Sequence, residues 1–240
     1  GVNVHKGKQK HRGRHPRQQS GTSCAPESLE AALKHKERGN SAFSQGQYRS
    51  ALKCYKSCIN SCLLITMESF KLDDAAINHR THAEAVKVQA DALSNRAATY
   101  LMLDNVAAAM SDCNESLRLL PGHERAQLRL ATCKMYMGQF DEAREVLIEC
   151  RGRNFRRNLH ADVLEKLKIV EDVVQLVNES SKCTQPPGSG GHDKLLDHAD
   201  MLKRIEKHLE YFRRSKDLVH GKCRVMMALG RYREVLDFLS

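Results

Sequence analysis

The sequence predicts an all-α fold, a right-handed solenoid of stacked helix pairs with a capping helix. Small residues recur at a fixed spacing in three stretches of the chain, and apolar residues recur at the spacing of amphipathic helices. The 240 residues include 5% aromatics and five Pro, whereas an all-β sandwich needs a turn signal about every 8–12 residues. No apolar run approaches the roughly 18 residues of a membrane span, so we expect no integral membrane protein.

Three stretches share one pattern of small residues. In each, a small residue is followed by a second after 12 positions and by a third after seven more. The three sets are Gly39, Ala51 and Cys58; Ala97, Ala109 and Ser116; and Ala131, Ala143 and Cys150. The second and third sets are 34 residues apart. Small side chains are needed where two helices cross closely, so each set predicts one helix pair.

This pattern resembles the tetratricopeptide repeat, a helix–turn–helix unit of about 34 residues. The resemblance implies helix pairs that stack because a single pair cannot bury its apolar surface. The first helix of every pair then lines a concave groove. The predicted pairs are 29–45 with 48–64, 83–103 with 106–119, and 123–137 with 140–152.

About two dozen extra residues, roughly 66–89, separate the first two pairs and depart from the usual repeat spacing. Their acidic and polar part predicts a loop, and residues 82–89 predict an N-terminal extension of the next helix. The polar loop residues are Glu68, Asp73, Asp74, Asn78 and His79.

After the third pair, apolar residues at 4-3-4-3 spacing predict an amphipathic capping helix, which closes residues 29–182 as one solenoid. They are Val163, Leu167, Val170, Val174 and Val177. Residues 183–192, rich in Pro, Gly and Ser, predict a flexible linker. Residues 193–240 predict a further helix and the start of a fourth pair. Because that pair stops inside its second helix, we expect the chain to be a fragment.

Five polar side chains stand out on the first helices of the three pairs. They are Lys36, Asn40, Asn95, Arg125 and Arg129. Lys36 and Asn40 share a helix face at i,i+4, as do Arg125 and Arg129. Since the first helices all line the groove, the five are expected to converge. Three cations and two amides suit a peptide that ends in Asp or Glu and so carries two carboxylates on one residue.

The segments Lys36–Asn40, Ser94–Ala98 and Arg125–Arg129 are similar to those of chaperone-binding tetratricopeptide domains. In that family a five-residue carboxylate clamp holds the C-terminal Glu-Glu-Val-Asp of the seventy- and ninety-kilodalton heat-shock chaperones. The resemblance covers about residues 30–155 and implies a co-chaperone or adaptor. The region after it is similar, more weakly, to plant-type J-domain co-chaperones, but the J-domain motif His-Pro-Asp does not occur in this chain.

Two other functions remain open on the sequence alone. The groove could bind another protein segment, with a clamp that does not function. The net charge of +10 also includes six Lys and Arg and no acid within residues 1–26. We expect residues 1–28 to form a disordered basic tail, which could contact nucleic acid.

The remaining motifs predict no catalytic, metal or cofactor site. Cys54, Cys58 and Cys62 lie at i, i+4 and i+8 on one predicted helix, which is not the spacing of a zinc site. Nine scattered Cys are typical of a reducing compartment, so we expect the cytoplasm, with the nucleus as the alternative.

Overall fold

The computed structural model describes residues 29–69, 75–152, 157–183 and 192–240. Within these ranges every regular element is an α-helix, which confirms the all-α fold. The helices are α1 Leu29–Ser44, α2 Tyr48–Ser69, α3 Ala75–Met102, α4 Val106–Leu119, α5 Glu124–Tyr136, α6 Phe140–Gly152, α7 Arg157–Ser181, α8 His192–Tyr211, α9 Lys216–Ala228 and α10 Tyr232–Leu239. Consecutive helices pack together up to α7, and α1, α3, α5 and α7 lie side by side. This is the predicted solenoid.

The turn inside each pair closes through one residue with left-handed backbone. Gly46 and Gly138 have φ of +73° and +77°, and Asp104 has φ of +56° at the same place in the second pair. Glycine adopts this conformation without steric cost, so it ends the first helix sharply. Asn105 then caps α4 by accepting the amide of Ala108. These local signals explain why α4 and α6 begin and end where predicted.

The insertion between the first two pairs is largely helical, which corrects the predicted loop. α2 continues to Ser69 and α3 begins at Ala75, so Glu68, Asn78 and His79 belong to helices. Asp73 and Asp74 lie outside the described residues. The physical reason is that apolar residues continue at helical spacing beyond the predicted boundaries. Among them, Ile65 on α2 is buried.

The predicted capping helix forms as α7, and the apolar core continues past it. Val163, Leu167 and Val170 are buried, and Val173 and Leu176 are buried as well. A single cluster of buried residues runs from Leu128 on α5 to Val235 on α10. α7 therefore has partners on both sides, with α5 and α6 against one part and α8 and α9 against another. The predicted linker lies largely outside the described residues.

The turn between α8 and α9 folds back onto the third helix pair. The Phe212 ring lies 5.4 Å from Phe140 and 6.1 Å from Tyr136, centroid to centroid. A Cβ added to Gly138 would lie 2.9 Å from the Cα of Ser215, so only glycine fits there. Arg214 also forms an ion pair with Asp104, 3.2 Å away. No helix in the described part of the chain is long and apolar enough to cross a membrane.

The close packing inside the first pair gives a stability prediction. A Cβ on Gly39 would lie 2.6 Å from the ring of Tyr55, a side chain that is fully buried and has no room to move. We expect Gly39→Ala to lower the free energy of unfolding by about 1–3 kcal/mol through overpacking. Urea unfolding measures the loss. Gly122→Ala is the control, because an added Cβ there meets nothing within 4 Å, and an equal loss in both variants would contradict the prediction.

Candidate functional site

The five sequence-predicted residues lie on the neighbouring helices α1, α3 and α5, and direct contacts join three of them across helices. Asn40 on α1 accepts a hydrogen bond from Asn95 Nδ2 on α3, at 3.0 Å. Arg129 Nη1 on α5 lies 3.5 Å from Asn95 Oδ1 and also donates to the hydroxyl of Ser94. Lys36 reaches α3 through Asp91. The structure therefore brings these residues together.

Tyr55 orients the amide of Asn40. Its hydroxyl donates to Asn40 Oδ1 at 2.8 Å, and its side chain is buried beneath α1. Burial raises the pKa of Tyr55 to about 12, so the phenol stays protonated and remains a donor. With both of these bonds made to the oxygen of Asn40, its Nδ2 group is the one left to donate to a ligand.

Lys36 is ion-paired with Asp91, a residue that the sequence analysis missed. Lys36 Nζ lies 3.2 Å from Asp91 Oδ2, and Asp91 Oδ1 lies 3.0 Å from Nε2 of His123. The bond to His123, together with the charge of Lys36, lowers the pKa of Asp91 to about 2. His123 is buried, and its Nδ1 accepts the amide of Ala126 as the N-cap of α5. Asp91 lies one helical turn before Asn95 on α3. This spacing alone could have placed Asp91 on the same helix face as Asn95.

Arg125 and Lys87 are exposed cations at the same end of the groove. They line a cavity of about 200 Å³ together with Asp91 and His123. Neither cation makes a hydrogen bond or ion pair with another described residue. Lys87 comes from the N-terminal extension of α3, so the insertion adds a charge to the groove that the repeat pattern does not predict.

Arg129 is partly buried, whereas Arg125 on the same helix is exposed. Burial lowers the pKa of Arg129, and the charge of Arg125 one turn away acts in the same direction. A guanidinium nevertheless stays protonated in proteins. The hydrogen-bond partners to which Arg129 donates, Ser94 and Asn95, are neutral, so its positive charge favours an anionic ligand beside it.

A second cavity lies further along α5, toward its C-terminal end. It has a volume of about 440 Å³ and lies between α5, α7 and α8. Met135 lines it and Leu128 is buried in the core, whereas Leu130 packs partly buried against the second pair.

The cysteines pack as predicted. Cys58, Cys113, Cys133 and Cys150 have no exposed surface, and Cys62 is equally buried. The hydrogen bond that the Cys58 thiol makes to Cys62, together with burial, raises the pKa of Cys58, which disfavours the reactive thiolate. Across the described ranges, no group of three or more His, Cys, Asp and Glu side chains is placed to hold a metal ion.

The groove can therefore bind an acidic group through charge and hydrogen bonding. Lys36 pairs with Asp91, and the cations Lys87 and Arg125 line the cavity beside it, together with the carboxylate of Glu124. Arg129 lies one helical turn beyond Arg125. Two amides, hydrogen-bonded to each other, complete the set, and one of them lies 3.5 Å from Arg129. Such an arrangement matches the bidentate and charge-assisted bonds that carboxylates form with arginine and lysine.

Comparison with known proteins agrees with this architecture. Residues 90–164 match a family model described as tetratricopeptide repeat. A relative named Protein STIP1 homolog, from Dictyostelium discoideum, is 30% identical over 117 residues, which is 49% of this chain and 16% of that protein. The match spans about a sixth of the length of that relative and of Sperm-associated antigen 1 from Homo sapiens.

Two solved structures illustrate the likeness in fold. The C-terminal TPR-containing domain of an FK506-binding protein from Plasmodium falciparum has a TM-score of 0.50 at 18% identity, covering 63% of this chain and 93% of that one. The first TPR of Spaghetti (RPAP3), solved with the HSP90 peptide SRMEEVD, has a TM-score of 0.46 at 22% identity, covering 62% and 98%. The matched family model shows that this chain contains tetratricopeptide-repeat sequence at residues 90–164, within its array of stacked helix pairs.

Proposed function

We propose that this protein is a co-chaperone or adaptor whose groove binds the acidic C-terminal tail of cytosolic heat-shock chaperones. The observation that carries the proposal is the side-chain network that joins Asn40, Asn95 and Arg129 across three helices. The resemblance of Lys36, Asn40, Asn95, Arg125 and Arg129 to a carboxylate clamp supplies the class of ligand. A tail ending in Glu-Glu-Val-Asp offers the two carboxylates that such a site needs.

The roles of four of the five residues follow from their exposure and contacts. Arg129, partly buried and already hydrogen-bonded to α3, is held in place and takes one carboxylate without losing much side-chain freedom. The amides of Asn40 and Asn95 donate beside it. Arg125, exposed and without a partner among the described residues, is placed to take a second carboxylate.

The affinity of such a site is set by charge-assisted bonds. Short peptides recognised in this way bind with Kd of about 1 µM, or roughly −8 kcal/mol. Because part of the interaction is between exposed charges, the affinity should fall as ionic strength rises.

A titration of the protein with a Glu-Glu-Val-Asp peptide tests the proposal. We expect Arg125→Ala to weaken binding at least about tenfold, since a hydrogen bond to a charged group contributes about 1.5–3 kcal/mol. Arg125 is exposed and unpaired within the described chain, so its removal should leave the fold intact. Isothermal titration calorimetry measures the change.

Arg118→Ala is the matched control. Arg118 lies on α4 and pairs with Glu115, away from the groove, so its removal should not alter peptide affinity. Equal affinities of the wild-type protein and Arg125→Ala would overturn the proposed clamp.

A further inference from the structure

The groove already contains a carboxylate at the lysine of the clamp. Asp91 Oδ2 lies 3.2 Å from Lys36 Nζ, the group that a ligand carboxylate would also need. The Lys36 side chain is 19% exposed and that of Asp91 is 38% exposed. The pair is therefore accessible from the groove, and its negative partner faces the same space as the ligand.

Asp91 is held in this position from its other side. Its Oδ1 lies 3.0 Å from Nε2 of His123, and the Nδ1 of that ring accepts the amide of Ala126. A neutral imidazole with an accepting Nδ1 must carry its hydrogen on Nε2, so it donates to Asp91. Moving Asp91 out of the groove would leave a buried histidine donor without its acceptor, which is costly. Asp91 cannot simply turn aside when a ligand arrives.

A ligand carboxylate that binds Lys36 must therefore share one ammonium group with Asp91. The ammonium has three donors and can contact both acids, but the two negative charges then lie close together. Like charges at this separation disfavour each other strongly where water is partly excluded. The low pKa of Asp91 means that its charge persists at neutral pH.

We infer that Asp91 is a specificity-determining residue, an internal competitor at Lys36 that weakens the hold of the groove on a free terminal carboxylate. The inference rests on the proposed function. The negative charge of Asp91 repels a ligand with a charged C-terminus more than one with a neutral C-terminus, and so discriminates between them. It also means that Lys36 contributes little to affinity in the wild-type protein.

The test is the affinity of Asp91→Asn for two peptides with the sequence Glu-Glu-Val-Asp, one with a free and one with an amidated C-terminus. We expect about tenfold tighter binding of the free acid and a change below about threefold for the amide. Asparagine keeps an oxygen that accepts from His123, so the fold should be retained. Asp91→Ser, which removes the charge with a different side chain, should give a gain of the same sign.

Asp172→Asn is the matched control. Asp172 on α7 also bridges a histidine and a cation, with its Oδ2 2.6 Å from Nε2 of His208 and a bond to Arg204. It lies outside the clamp, so its loss of charge should leave peptide affinity unchanged.

A double-mutant cycle tests the assigned partner. Lys36→Ala should weaken binding of the free acid by less than about threefold in the wild-type protein and by more than about tenfold in the Asp91→Asn protein. Weaker or unchanged binding by Asp91→Asn, while Arg125→Ala still loses affinity, would overturn the inference and leave the proposed function standing. Absence of peptide binding by every protein, wild type included, would overturn both.

Discussion

Asp112→Ala is expected to lower the free energy of unfolding by about 3–5 kcal/mol, because it strands a partly buried guanidinium. Arg96 on α3 donates two hydrogen bonds of 2.7 Å to Asp112 on α4, one to each carboxylate oxygen. The side chains are 20% and 9% exposed, respectively. The carboxylate holds the pKa of Arg96 above its usual value, which reflects the same attraction. Loss of the acid leaves the cation without a partner inside the second helix pair.

Chemical denaturation of Asp112→Ala and of a control variant measures this effect. The control is Glu115→Ala on the same helix. Glu115 pairs with Arg118 at the same 2.7 Å, but the two side chains are 41% and 69% exposed. An exposed pair typically contributes about 0–1 kcal/mol, so the control should lose little. Losses of similar size in the two variants would show that burial does not set the strength of the Arg96 pair.

Leu176→Ala is expected to lower the free energy of unfolding by about 2–5 kcal/mol. Leu176 is fully buried on α7, in the cluster that joins α5 and α6 to α8, α9 and α10. Truncation removes apolar contacts and leaves a cavity that its neighbours cannot fill completely. Because the cluster is continuous, the transition should remain a single one by both circular dichroism and tyrosine fluorescence.

Leu164→Ala provides the comparison for this variant. Leu164 is on the same helix but is exposed, so its truncation should cost less than about 0.5 kcal/mol. A biphasic transition in Leu176→Ala, with the C-terminal helices melting first, would mean that α8 to α10 form a separate unit.

The sequence was most informative where structure is encoded locally. The bounds of α4 and α6 follow from short turn signals, Asp104-Asn105 and Gly138-Gln139, next to residues of clear helical period. The faces of the clamp residues follow from the same periodicity, because residues four apart on a helix lie on one side. These features need only a few consecutive residues to be recognised.

The partners of the site residues and the extent of the core depend on contacts between residues far apart in the sequence. Such contacts leave no periodic pattern in the sequence. The partner of Lys36 is 55 positions away at Asp91, and the ring of His123 completes the arrangement from a third helix. The length of α2 and α3 was underestimated because the polar residues near their facing ends resemble a loop in composition. The continuation of the core beyond α7 was missed because Val173 and Leu176 lie off the stripe that defines its amphipathic face.

The fold-back of the α8–α9 turn changes how local opening can spread along this array. In an ordinary repeat protein each unit touches only its neighbours, so the terminal unit can fray alone. Here Arg214 reaches Asp104, 110 residues earlier, and Phe212 packs on Tyr136 and Phe140. Fraying at α9 must break contacts with the second and third helix pairs as well. Helices α8 and α9 are therefore coupled to the second and third helix pairs. Amide exchange in α9 reports on the opening of these pairs as well as on local fraying.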